Sequence, residues 1–101
     1  MLTSKQRAYL RGLGSKLNPI FQVGKDGVSD ETCHQVFNAL EARELIKIRV
    51  LETAPNSPKE VAEILESKIG ADVVQVIGTK IVLFKQSSKE EKRKIDLKSV
   101  R

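Results

Sequence analysis

The chain has one cysteine (Cys33), one histidine (His34) and no tryptophan in 101 residues. A lone thiol forms no intrachain disulfide, which excludes a secreted disulfide scaffold. One Cys and one His do not make a zinc finger or ribbon. The longest apolar run, residues 81–84, is four residues, against the roughly 20 needed to span a bilayer. Residues 1–7 lack the apolar stretch of a secretory signal, so the expected compartment is the cytoplasm. Walker, GxGxxG, HExxH and GxSxG patterns are all missing. Cys33 and His34 are neighbours on a helical pattern and point about 100° apart, a poor nucleophile–base pair. Asp30, Glu31 and Glu60 are explained by helix starts and solvation. The reading is therefore not an enzyme, with no cofactor, metal or small-molecule substrate.

What is present is a basic, globular composition. Lys and Arg total 18 against 13 Asp and Glu, a net charge of +5. Hydrophobic residues are 40% and charged residues 31%, as expected of one folded domain. The positive balance favours a polyanionic partner.

Residues 3–17 read as a helix. Thr3 and Gln6 form a capping-box pattern, Ala8, Tyr9, Leu13 and Leu17 supply an apolar stripe, and Asn18-Pro19 ends it. Lys5, Arg7, Arg11 and Lys16 lie on this segment, and no acid occurs among the first 17 residues. Residues 19–23 read as a short strand. A second helix, 29–43, starts on Ser29 and carries Cys33, Val36, Phe37 and Leu40 at i, i+3, i+4, i+7. Residues 45–52 alternate, with Ile46, Ile48 and Val50 on one side and Leu45, Lys47, Arg49 and Leu51 on the other, the pattern of a strand with one buried face. Ser57-Pro58-Lys59-Glu60 opens a third helix that Gly70 stops. Residues 73–77 and 81–84 form a hairpin across Gly78.

The order α-β-α-β-α-β-β implies parallel crossovers closed by an antiparallel hairpin, hence a mixed four-stranded sheet packed against helices. Cys33, Phe37, Leu40, Ile46, Ile48, Ile64, Leu65 and Val76 are assigned to the core. Tyr9, Phe21, Phe37 and Phe84 fall in apolar patterns and are read as core rather than base-stacking platforms. Residues 1–86 make the domain. Residues 87–101 form a basic tail of net +3, six cations against three acids, which is either a disordered solubilising arm or a nucleic-acid-contacting one.

Gly24-Lys25-Asp26-Gly27 is a GxxG loop between a strand and a helix. One reading is a plain turn in which glycine supplies unusual φ values. The other is a phosphate cradle: two positions without side chains, followed by the positive end of a helix dipole, as in the loop with which KH domains clamp single strands. Asp26 opposes the second reading electrostatically. Lys47 and Arg49 are either the solvent side of a strand or part of a basic sheet surface, and the sequence does not separate these.

The motifs 2–7, 10–13, 19–28, 39–48 and 74–84 occur together in an order and spacing that resemble the CRM domain family, specifically its stand-alone bacterial YhbY-like form, over residues 2–97. The resemblance implies a fold similar to the C-terminal domain of translation initiation factor three. It also implies RNA binding and association with precursors of the large ribosomal subunit; related plant domains serve group II intron splicing within larger proteins. It places Gly24, Lys25, Asp26 and Gly27 on the RNA surface, with Lys5, Arg7, Arg11, Lys16, Lys80 and Lys85 as basic contacts. Lys85 stands where the family often has Arg, and keeps the charge without the bidentate geometry. The expected state is a monomer. The competing expectation is a protein-interaction module whose basic surface docks an acidic protein.

Overall fold

Each helix begins where a side chain supplies the missing acceptor. In the computed structural model, which describes residues 2–93 and 95–97, α1 (Ser4–Gly14) starts on Thr3. The Thr3 hydroxyl accepts the Gln6 N–H, and the Gln6 side chain accepts the Thr3 N–H in return. The expected helix runs to residue 17, but its end is a tightened turn. Lys16 and Leu17 N–H groups donate to the Leu13 and Gly14 carbonyls, three residues back, as at many helix termini. Strand β1 (Phe21–Val23) precedes α2 (Asp30–Arg43), which is capped by Ser29. Strand β2 (Leu45–Val50) precedes α3 (Pro58–Ile69), which carries the Ser57/Glu60 box and ends on Gly70 at φ +70°. Strands β3 (Asp72–Ile77) and β4 (Lys80–Phe84) follow. Between them, Gly78 alone of the two loop residues has positive φ, +59°, the mark of a type II′ hairpin.

The sheet order is β1-β2-β4-β3. β1 and β2 are parallel, and β4 is antiparallel to both β2 and β3. β2 and β3 thus share a direction, as the helical crossover between them requires, with the last strand inserted between them. This is the mixed α/β architecture expected from the sequence.

Helices cover both faces. On one, α2 and α3 pack Val36, Leu40, Val61, Ala62 and Leu65 against Val23, Ile46, Ile48, Val50, Ile81 and Leu83. On the other, Leu10 of α1 sits on Leu45, Val74, Val82 and Phe84, joined at the edge by Leu2, Leu13, Leu17, Ile95 and Leu97. β2 is therefore buried on both sides, not one. The expected α1 stripe is also rotated. Ala8 and Tyr9 are exposed, and the buried line is Leu10 and Gly14 with Leu13 and Leu17 beside them. Gly14 sets that phase, because a Cβ there would lie 2.8 Å from Cγ1 of Val82.

Leu40, Ile46, Ile48 and Leu65 are buried as expected, while Cys33 and Ile64 are half-buried. Phe37 and Val76 are corrections: both are exposed. Phe37 lies at the margin of the α2 stripe, beneath the Lys85 ammonium. Val76 is on an edge strand, beyond a bulge at Val73/Gln75 that puts Val74 and Gln75 on the same face.

The segment after β4 lies against the body. Ser87 is buried, and its N–H donates to Glu44 Oε2 at 2.8 Å. Ser88 donates to Glu41 through N–H and hydroxyl, both at 2.9 Å. Ile95 N–H reaches Glu44 Oε1 at 3.0 Å. Within residues 87–101, expected as a tail, Ser87, Ser88 and Ile95 thus bond to Glu41 and Glu44, and Ile95 and Leu97 join the α1 core. Lys94, Lys98 and Arg101, half of the tail's cations, lie outside the described residues.

Candidate nucleic-acid interface

The parallel arrangement of β1 and β2 brings three loops to one end of the sheet. These are the GxxG loop after Val23, the 51–57 segment after Val50 and the Gly78-Thr79 turn, whose Thr79 carbonyl accepts the Val50 N–H at 2.7 Å. The caps of α2 and α3 are at this end too.

The GxxG loop is a closed turn. Gly27 N–H donates to the Gly24 carbonyl at 2.9 Å. Gly27 has φ +66°, and a Cβ on it would lie 3.0 Å from Pro55 Cγ. The fold itself demands that glycine. At the α2 N-terminus one of the free N–H groups is already taken, because Ser29 Oγ accepts the Thr32 N–H at 3.1 Å. The cleft beside the loop holds Lys25 together with Asp26 and Glu31, so its charges are mixed.

The other sequence-derived cations are dispersed. Lys5, Arg11, Lys16, Lys25 and Lys80 are exposed, and among the described residues none takes part in an ion pair. Arg7 is half-buried and donates from Nη1 to the Val73 carbonyl, which ties α1 to the edge strand. Lys85 holds its ammonium 5.4 Å from the Phe37 ring centroid, a cation–π distance, and is close enough to Glu41 to favour that carboxylate's charged form. Lys16 and Lys80 lie at the α1-covered face of the sheet; the loop, Lys5 and Lys85 do not join them in one patch.

Three further cations stand beside Lys16 and Lys80. Strand register aligns Gln22, Arg49, Lys80 and Ile77 in one row across all four strands, on the face that α1 covers only as far as Val82. One residue pair inward, Lys47 is 8% exposed. It lines two adjoining grooves, one with Lys16 and Arg43, the other with Lys80. Neither groove has an acidic residue in its walls. Lys47 gives one signal in the sequence, a lysine inside an apolar strand, which alternation leaves open between the solvent side of the strand and a basic sheet surface; the sequence does not single out Arg43.

Among the described residues no group of three or more His, Cys, Asp or Glu side chains is placed to hold a metal ion. No helix among them is long and apolar enough to cross a membrane.

The CRS1 / YhbY (CRM) domain model matches residues 2–85. "Probable RNA-binding protein YqeI" of Bacillus subtilis is 47% identical over 97 residues, covering 96% of this chain and 99% of its own. A Haemophilus influenzae protein named "RNA-binding protein" is 32% identical over 96 residues, covering 95% and 94%. Among solved structures, the hypothetical protein SAV1595 of Staphylococcus aureus superposes with a TM-score of 0.76 at 41% identity, covering 95% of this chain and all of that one.

Proposed function

The chain belongs to the CRS1 / YhbY (CRM) domain family, and from that premise we propose that it is a cytoplasmic, monomeric RNA-binding protein that associates with precursors of the large ribosomal subunit as an assembly factor. The observation that carries RNA as the partner is the set of unpaired cations. Lys16, Arg43, Lys47, Arg49 and Lys80 gather around the α1-covered face with no acid in the grooves between them. A protein surface that leaves cations unneutralised is suited to a phosphate backbone, whose binding releases condensed counterions. The names of the relatives point the same way.

The ribosomal assignment rests on family resemblance and is tested by a sucrose gradient of tagged protein, expected to peak with precursors of the large subunit. Sedimentation only at the top of the gradient overturns it. RNA binding itself is tested by the salt dependence of affinity, expected to fall along a log–log line of about −0.7 per phosphate contact for single strands. Affinity that is flat in salt would instead favour an acidic protein partner.

A further inference from the structure

Resting on the RNA-binding reading above, we infer that one phosphate of an unpaired RNA segment is held in the groove between the end of α1 and the β3–β4 turn, with the Lys47 ammonium at its floor and Lys80 at its rim. Lysine is almost never buried unless paired. Lys47 is more than nine-tenths buried, and its ammonium has neither a hydrogen bond nor an ion pair among the described residues. Among the described residues no buried side-chain nitrogen is left without a partner, so the ammonium reaches solvent, and the groove is where it does so.

The rest of the groove fits one nucleotide. Its volume is about 440 Å³, within the range of small-ligand sites. Ile77 is 57% exposed on its wall, an apolar surface for a ribose or base. Gln75 and Ser15 add neutral hydrogen-bonding groups. Gly78, at the turn, leaves open space where a Cβ would stand, so a backbone can approach. The end of α1 lies over Lys47, and the negative end of its dipole helps to hold the charge within the fold. That dipole does not explain why both grooves lack carboxylates. A walled groove admits a splayed single strand, whereas duplex RNA offers its phosphates on a convex surface.

The test is fluorescence anisotropy with a labelled oligouridylate of about twelve nucleotides and a blunt RNA duplex of the same length, from about 50 to 200 mM salt. Lys47→Met keeps the aliphatic stem and removes the charge. It should lower single-strand affinity about tenfold and flatten the salt slope by about 0.7, with the thermal melt retained, and Lys47→Arg should restore both. Lys80→Gln, at the exposed rim, should flatten the slope in the same direction and keeps the test open should Lys47→Met not fold. Ile77→Ser should weaken binding with the slope unchanged. Wild-type affinity and slope in folded Lys47→Met, or in Lys80→Gln where that variant alone folds, overturn the groove while leaving RNA binding intact. An equal loss on the duplex overturns the single-strand assignment. Binding of neither probe by the wild-type protein overturns this inference and the RNA-binding reading together.

Discussion

The Ser87 N–H donates to Glu44 Oε2 at 2.8 Å inside the protein. Glu44 is fully buried and closes α2 at φ +65°, a conformation that residues other than glycine seldom adopt. Its other oxygen takes the Ile95 N–H, its carbonyl takes the Lys85 N–H and its own N–H returns to Leu40. Glu44→Ala removes the acceptor of two backbone donors. It should destabilise the fold by about 2–4 kcal/mol in denaturant melts; a loss near zero would show that water replaces the carboxylate.

Glu41 holds the neighbouring turn. The Ser88 N–H bonded to it keeps its carboxyl below the usual value of 4.5, helped by the Ser88 and Ser87 hydroxyls and by Lys85, against a smaller opposing effect of desolvation. A carboxylate with a depressed folded-state pKa stabilises fully above its unfolded value and loses that contribution as pH falls through the folded one. The stability difference between wild type and Glu41→Gln should therefore be constant at neutral pH and shrink below about pH 4.5. Paired melts across that range check it, and an unchanged difference at acid pH refutes it.

Two glycines two positions apart in α1 should respond oppositely to alanine. At Gly12 an added Cβ meets nothing within 4 Å, so Gly12→Ala should stabilise by about 0.5–1 kcal/mol through helix propensity. At Gly14 it meets the buried, rotamer-restricted Val82, and Gly14→Ala should destabilise by about 1–2 kcal/mol. Thermal melts of the two variants decide it.

The two arginines of α1 should also separate. Arg11→Glu changes an exposed side chain and should leave stability within about 0.5 kcal/mol. Arg7→Glu loses the bond to the Val73 carbonyl and should be measurably less stable. Equal melts would show that the bond contributes nothing.

The GxxG loop is tested at its lysine. Gly27→Asp unfolds the question along with the turn, because φ +66° and Pro55 both oppose a side chain. Lys25→Ala leaves the turn whole and should weaken RNA binding slightly and uniformly across sequences, with the salt slope smaller by at most one contact.

Element order was legible because the local signals were strong: the Thr3/Gln6 and Ser57/Glu60 boxes, Ser29, Gly70 and Gly78 each stand where a boundary falls. What failed depended on partners distant in sequence. The phase of α1 follows from the approach of Gly14 to Val82, which no helical periodicity encodes. Phe37 satisfies the helical spacing yet lies at the margin of the stripe, under Lys85. Lys47 stays open between a solvent position and a basic sheet surface until α1 is known to cross the second face of the sheet. Glu44 resembles an ordinary surface acid because its partners arrive from residues 85–95.

The last strand made is not the last in the sheet. β4 lies between β2 and β3, so a growing chain that has reached Ile77 has two strands with no partner between them. β1 and β2 are both made before then, but the part of each core that rests on Ile81, Val82, Leu83 and Phe84 waits for residues 80–84. Closure from both sides at once makes the central pairing non-local, and such contacts slow folding because their loop entropy is lost before they form. The sheet of this domain therefore cannot be completed during synthesis until the hairpin has been made.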